Sequence, residues 1–213
     1  MTDALIPNRA MFNFRLTARR FAKPPKLTGD LKDWTDAHRL PDLSGLDRRE
    51  SHADVYLGWH EEGLYAAVSV RGKERPPECQ HSHFWLGDGF RIWVDTRDTR
   101  GIHRASRYCH QFCFFPDDFT GKQAPVPNAK DDAPVCEPSV LTVAGRKRPG
   151  GYDMEIGLPA AALYGWDPAE HPRIGFCYYL KDGELGDHYL TLGGVFPYYQ
   201  DPSIWAAVDL VGG

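Results

Sequence analysis

The most regular feature of the sequence is an alternation of apolar and polar positions from residue 90 to residue 95. Phe90, Ile92 and Val94 fall on one side of an extended chain, opposite Arg91, Trp93 and Asp95. This period of two predicts a half-buried β-strand. The preceding Gly87-Asp88-Gly89 is typical of a turn, because glycine adopts positive φ without a Cβ clash. The pattern therefore places Trp85 between a loop and a strand, where its ring is either offered to a ligand or part of the core's rim.

Similar alternation along the rest of the chain predicts nine or ten strands. The predicted strands cover residues 11–16, 53–59, 64–70, 90–95, 106–115, 137–146, 151–158, 174–180 and 205–211. The clearest hairpin joins the second and third of these, and another turns at 148–151. The strand at 106–115 is apolar on both faces, which predicts a central place in a sheet.

Two other segments carry different signals. The polar stretch 116–134 contains four prolines and predicts a long loop, and such loops are usually functional or mobile. Residues 159–165 begin with proline and end with glycine, which predicts a short helix.

The composition agrees with a β-rich protein. Hydrophobic residues make up 42% of the chain, enough for a proper core, and 17 prolines with 21 glycines favour many turns and few long helices. We therefore predict one all-β, antiparallel domain over residues 1–213, a two-sheet β-sandwich with one or two short helices.

Charge and cysteine content narrow the classes of partner. The net charge of −4 predicts no nucleic-acid or anionic-membrane partner. No apolar run has the length of a membrane helix, and residues 1–7 lack the apolar core of a secretory signal, so we expect a cytoplasmic protein. Five cysteines without a CxxC pair suit free thiols in a reducing compartment. Cys109 and Cys113 share one face of a predicted strand, which makes a disulfide between them geometrically unfavourable.

Metal and catalytic chemistry receive little support from the residue spacing. Four histidines lie close together in sequence: His81, His83, His103 and His110. They lack a recognised ligand spacing, so a metal or haem site is only an alternative. Carboxylates at 95–98 and 117–118 could hold calcium as a structural ion, although solvated turn carboxylates are the more common outcome. No other cofactor is predicted. Asp153 and Glu155 face outward, and because no catalytic motif is present we predict a protein that is not an enzyme.

Several short motifs in order resemble the family 9 carbohydrate-binding modules and the wider DOMON-like superfamily. The matching segments are Leu27-Thr28-Gly29-Asp30-Leu31-Lys32-Asp33-Trp34, residues 53–59 and 63–70, residues 87–95, Tyr152-Asp153-Met154-Glu155-Ile156-Gly157-Leu158-Pro159, residues 174–176 and Asp201-Pro202-Ser203-Ile204-Trp205. They span about 27–210. The resemblance implies an immunoglobulin- or jelly-roll-like sandwich. Its sugar-binding members clamp a saccharide between two aromatic side chains.

This resemblance also implies candidate ligand-binding residues. Trp85 resembles the first clamping tryptophan, and Tyr198 or Tyr199 lies in the region that supplies the second ring, beside Gln200. A pyranose stacks its C–H face on such rings while polar groups contact its hydroxyls. We assign Arg91, His110 and Gln200 as polar contacts. Arg91 stands where sugar binders usually have an acidic residue, and a tyrosine stands where a second tryptophan is expected.

Three functional hypotheses follow from these observations. The first is a non-catalytic domain that binds a saccharide or another polyhydroxylated molecule. The second is a structural or protein-interaction sandwich in which the same aromatic rings belong to the core. The third is a DOMON-like domain that carries haem or a metal ion.

Overall fold

Alternation of side chains produces eleven β-strands in the computed structural model, which describes residues 8–212. The strands are β1 (Arg15–Arg20), β2 (Ala53–His60), β3 (Gly63–Arg71), β4 (Gly89–Asp95), β5 (Cys109–Phe115), β6 (Thr120–Ala124), β7 (Thr142–Arg148), β8 (Gly151–Pro159), β9 (Arg173–Lys181), β10 (His188–Tyr189) and β11 (Ala206–Val211). The helices of this part of the chain are all short 3-10 segments. They lie at Asn8–Met11, Asp36–His38, Ser44–Asp47, Pro138–Val140, Ala160–Ala162 and Pro202–Ile204.

The strands form one continuous hydrogen-bonded sheet. Its order is β6-β5-β4-β9-β11-β1-β2-β3-β8-β7, and β10 pairs with β9. The two edge strands β6 and β7 approach each other, so the sheet is nearly closed. The all-β prediction is confirmed. The prediction of a purely antiparallel arrangement is wrong, because β1 runs parallel to both β2 and β11, and the division into two separate sheets is not confirmed.

The main core lies on the inner face of this curved sheet. Apolar side chains from both halves of the strand order meet there, including Val68 of β3, Ile92 of β4, Phe112 of β5, Met154 of β8 and Phe176 of β9, all fully buried. The prediction that Phe90, Ile92 and Val94 share one face of their strand is therefore confirmed, and this face points into the main core. Burying apolar area on this scale supplies the main stabilisation of such a fold.

The outer face of β4 and β5 is covered as well. Every residue of both strands is buried. A second apolar cluster on this face joins Trp93 and Cys177 to Trp205, with Tyr198 packed against it. The prediction that 90–95 is half-buried is thus wrong, whereas the cover on both faces predicted for 106–115 is confirmed.

The predicted elements differ from the structure mainly at their boundaries. The first strand lies at β1 rather than at 11–16, and the strand predicted at 137–146 begins with a 3-10 turn and becomes β7. The loop predicted for 116–134 contains β6, and the helix predicted at 159–165 is only the 3-10 turn Ala160–Ala162. The hairpin at 148–151 is confirmed: Gly150 has φ +78°, which suits glycine after proline in a type II turn.

The sequence predicts free thiols and no apolar run as long as a membrane helix. All five cysteines are free thiols. None of the helices in residues 8–212 combines the length and the apolarity that crossing a membrane requires.

Glu155 anchors the segment that begins at Leu27 to the outer face of β8. Its carboxylate is fully buried and accepts hydrogen bonds from the main-chain N–H groups of Thr28 (2.8 Å) and Gly29 and from the indole N–H of Trp34 (2.9 Å). Asp153 is buried too, and Arg146 and Arg148 pair with it. The outward direction predicted for both carboxylates is correct, but neither is available to a substrate.

We expect Glu155→Gln to lower the free energy of unfolding by about 2 kcal/mol. The glutamine side chain has an NH2 group in place of one carboxylate oxygen, so at least one of the buried N–H donors loses its acceptor. Chemical denaturation monitored by circular dichroism measures this change. Glu62→Gln is the control, since Glu62 has 71% of its side chain exposed. A loss for Glu155→Gln as small as for the control would contradict the anchoring role.

Candidate functional site

The outer face of four neighbouring strands carries two adjacent rows of side chains. In the first row Tyr179 of β9 pairs with Arg91 of β4, Arg91 with Cys113 of β5, and Cys113 with Lys122 of β6. In the second row, two positions along each strand, Trp93 lies between Cys177 and Gln111. These strand pairings fix which side chains face the segments 81–87 and 196–200.

Arg91 fastens the loop before β4 to the sheet. Its guanidinium Nε donates to the carbonyl of Phe84 at 3.1 Å, and its Nη2 donates to the carbonyls of Phe84 and Gly87. Only 4% of the residue is exposed. Within residues 8–212 no carboxylate forms an ion pair with it, and main-chain carbonyls are its oxygen acceptors.

Trp85 lies on the loop that Arg91 fastens and is largely accessible. Its exposed fraction is 54%, and that of Leu86 beside it is 53%. The rings of His83 and Phe84 meet the indole edge-on, with centroids 5.4 and 5.3 Å away. Trp85 is therefore not a core residue, and more than half of it is open to solvent.

Tyr198 is the centre of a second group of aromatic rings. It stacks on Tyr179 with centroids 4.8 Å apart and planes 5° apart, and it meets Trp93 edge-on at 5.2 Å. Tyr199 meets Tyr198 edge-on at 5.8 Å and is 42% exposed. Burial raises the pKa of the Tyr198 phenol, so it remains neutral at physiological pH. The Tyr179 hydroxyl donates to Asp187.

Gln200 holds the end of this aromatic segment. Its Oε1 accepts a hydrogen bond from the side-chain amide of Asn128 at 2.6 Å. The indole N–H of Trp205 donates to the carbonyl of Tyr198 at 2.7 Å. Both contacts fix the position of residues 198–200 over the outer face of the sheet.

His110 lies apart from the other predicted residues. It is 1% exposed and stacks on Phe112 on the inner face of β5, opposite to Cys113 and Gln111. Its ring nitrogens contact the Gln123 amide and the carbonyl of Tyr164. Burial lowers the pKa of His110 to about 4. The structure thus places Arg91, Tyr198, Tyr199 and Gln200 on the outer face with Trp85 on the adjoining loop, but not His110.

Two buried polar atoms on the same outer face lack any hydrogen-bond partner. They are Nε1 of Trp93 and Oε1 of Gln111, and the two residues are cross-strand partners on β4 and β5. An unpaired buried polar group costs about 1–3 kcal/mol. In native proteins such groups are usually satisfied by an ordered water, an ion or a ligand.

Sequence reasoning did not select Tyr179, Trp93, Gln111 or Lys122 as site residues. Alternation alone predicts which side of its own strand each one occupies. Their proximity depends on strand pairing between segments far apart in sequence, which no local pattern contains. The pairing register of the strands is therefore the information that the sequence analysis lacked.

Other polar clusters lie elsewhere on the molecule. His81 Nε2 contacts Asp117 at 3.0 Å and Asp118 at 3.9 Å, a group whose geometry could hold a metal ion. The Asp95 carboxylate accepts hydrogen bonds from Arg97 and Thr99. Cavities of about 120 and 480 Å³ border Arg9, and the lining of neither includes Trp85, Arg91 or Tyr198.

The fold of this chain is that of the family 9 carbohydrate-binding modules. A module of this family from Caldicellulosiruptor kristjanssonii in complex with cellotriose aligns with TM-score 0.66 and 14% identity over 94% of this chain and 95% of its own. A module of the family from the same organism in complex with glucose aligns with TM-score 0.63 and 14% identity over 95% and 97%.

A predicted carbohydrate-binding protein from Bacteroides uniformis also aligns, with TM-score 0.53 and 8% identity over 92% of this chain and 99% of its own. No family profile and no curated protein matches the sequence. The resemblance stated from the motifs is thus confirmed at the level of the fold.

Proposed function

We propose that this protein is a non-catalytic domain that binds a saccharide on the outer face of β4, β5 and β9. One observation carries the proposal: buried polar groups without protein partners lie on the face that the exposed rings of Trp85 and Tyr199 adjoin. The similarity in fold to modules solved with cellotriose and glucose supports it. The proposal requires no cofactor, and calcium as a structural ion stays a prediction.

Sugar chemistry matches this combination of groups. The C–H face of a pyranose stacks on an aromatic ring, and its hydroxyls both donate and accept hydrogen bonds. The indole N–H of Trp93 needs an acceptor and the amide oxygen of Gln111 needs a donor. A sugar hydroxyl can act as either partner. Trp85, Tyr198 and Tyr199 are the proposed stacking rings, with Arg91 and Gln200 as polar contacts, and His110 is left out because it faces the core.

The proposal also treats the fold as a two-layer sandwich. One layer is β6-β5-β4-β9-β11 and the other is β1-β2-β3-β8-β7, taken from the strand order. Residues of both halves share the main core, which supports this description. The proposed site then lies on the outer surface of the first layer.

We expect Trp85→Ala to weaken saccharide binding at least tenfold while it changes the free energy of unfolding by less than about 1 kcal/mol, since exposed side chains contribute little to stability. Isothermal titration calorimetry against glucose, cello-oligosaccharides and uronic acids measures the binding. Phe12→Ala is the control, because Phe12 is exposed to a similar degree, 58% against 54%. Unchanged affinity in Trp85→Ala would contradict the proposed site.

A protein-interaction domain is the second candidate function. Four large apolar residues are exposed in the segments 85–86 and 195–199: Trp85, Leu86, Val195 and Tyr199. Protein interfaces are built from side chains of this kind when they form one patch. This function predicts no binding to any saccharide, and self-association or partner binding that Trp85→Ala abolishes. Size-exclusion chromatography of the wild type and of Trp85→Ala shows whether the protein self-associates and whether the substitution abolishes this.

A further inference from the structure

Two cations, Arg91 and Lys122, lie beside the proposed site. Arg91 and Lys122 occupy the same cross-strand row with Cys113 between them, so their backbones are two strands, roughly 10 Å, apart. Lys122 Nζ donates to the carbonyl of His81 and lies 5.2 Å from the centroid of the Phe84 ring. Both cations thus contact the loop that presents Trp85.

Neither cation has a negative partner within the described residues 8–212. The oxygen acceptors of Arg91 are the carbonyls of Phe84 and Gly87. Lys122 has the His81 carbonyl and the rings of Phe84 and Phe115. Burial raises the pKa of the Cys113 thiol to about 12, so the group between them supplies no charge at pH 7.

The carboxylates nearest this site are engaged by other groups. Asp187 accepts from the hydroxyl at the far end of the Tyr179 ring. Asp117 and Asp118 face His81. A buried guanidinium without a counter-ion is costly, and a ligand that brings an anion removes that cost. A carboxylate forms a charge-assisted hydrogen bond with a guanidinium or an ammonium group, which is stronger than a hydrogen bond between neutral groups.

We propose that the saccharide bound beside Trp85 is acidic, a uronic acid whose carboxylate contacts Arg91 and Lys122. This inference rests on the saccharide-binding function proposed above. The sugar ring stacks on Trp85 and its carboxylate lies toward the row of cations. Hydroxyls at the other end of the sugar ring are left for Asp187 and Gln111.

Titration calorimetry with matched ligands tests the charge preference. Glucuronic acid is compared with glucose, galacturonic acid with galactose, and glucuronic acid with its neutral methyl ester. We expect each acid to bind at least about tenfold more tightly than its neutral counterpart, the size of effect that one charge-assisted hydrogen bond produces. The preference should shrink in 0.5 M NaCl, because Lys122 is only half-buried and its share of the attraction is screened by salt.

Variants assign the preference to these side chains. Lys122→Gln and Arg91→Gln are each expected to bring the acid-to-neutral affinity ratio close to one. Lys122→Gln is the cleaner variant, since Arg91 also fastens the Phe84 loop. Lys147→Gln is the matched control: Lys147 is an exposed lysine that donates to the carbonyl of Asp117, and the ratio should not change there.

The outcomes separate the two proposals. Equal affinity for acid and neutral sugar, or tighter binding of the neutral sugar, overturns the acidic-ligand inference and leaves saccharide binding intact. A preference that persists in Lys122→Gln and Arg91→Gln also overturns it. Absence of binding to either class of sugar overturns saccharide binding itself, and the inference with it.

Discussion

Lys73→Met is expected to lower the free energy of unfolding by about 3–5 kcal/mol, because it leaves buried carboxylates without their cation. The Lys73 side chain is only 3% exposed, and its Nζ lies 2.6 Å from Asp182, 3.4 Å from Glu184 and 3.5 Å from Asp88. Asp182 is the most buried of these carboxylates, with 1% of its side chain exposed. Urea denaturation followed by tryptophan fluorescence measures the loss.

The control for this substitution is Lys32→Met. Lys32 also pairs with an aspartate, Asp30, but its side chain is 80% exposed. An exposed pair of this kind contributes at most about 1 kcal/mol. A Lys73→Met protein as stable as Lys32→Met would show that the buried network is not required for stability.

This network also bears on the proposed site. Asp88 accepts hydrogen bonds from the main-chain N–H groups of Glu78 and Gly183, so it fastens both ends of the 78–88 loop to the segment after β9. Trp85 lies on that loop. We therefore expect Lys73→Met to weaken ligand binding as well as stability.

Mild acid is expected to destabilise the protein through two buried histidines. Burial lowers the pKa of both His110 and His188 to about 4, whereas a histidine in the unfolded chain titrates near 6.5. The unfolded state therefore takes up protons first as the pH falls. The stability that these residues contribute is complete above pH 6.5, declines below it, and is lost by about pH 4.

The expected size of this effect is about 2 kcal/mol per histidine at pH 5 and about 3 kcal/mol at the acid limit. Denaturation curves at pH 7, 6 and 5 measure it in the wild type and in His110→Gln. The substituted protein should depend less steeply on pH. His103→Gln is the control, since the His103 side chain is 81% exposed. A free energy of unfolding that stays constant between pH 7 and pH 5 would contradict the neutral buried state of these histidines.

Local sequence patterns predicted where most strands lie, but they did not predict which strand faces are covered by other segments. The Arg148–Gly151 hairpin and the inward face of β8 follow from turn chemistry and from alternation. The cover over β4 could not be read in this way, since its outer face carries Trp93 among polar neighbours and resembles a solvated face. It is buried because segments far away in sequence pack over it, with Trp205 at their centre.

The parallel pairing of β1 was likewise beyond local reasoning. Residues 15–20 alternate Leu16 and Ala18 against polar neighbours, a pattern that does not distinguish parallel from antiparallel partners. For the candidate site, Trp85 and residues 198–200 came from the resemblance. The buried row of Tyr179, Arg91 and Cys113 became visible only from the pairing register of the strands. That register is set over the whole sheet, so no single segment of sequence reveals it.

The parallel strand β1 has a consequence for how the chain reaches its final state. Arg15 pairs with Ala207 and Arg19 with Val211, and β1 is the element that connects β11 to β2. A ribosome has to synthesise the final strand before this connection can be made. Contacts between such distant parts of a sequence slow folding. During translation, the two halves of the strand order would stay unjoined, with exposed edges that a chaperone could protect until β11 emerges.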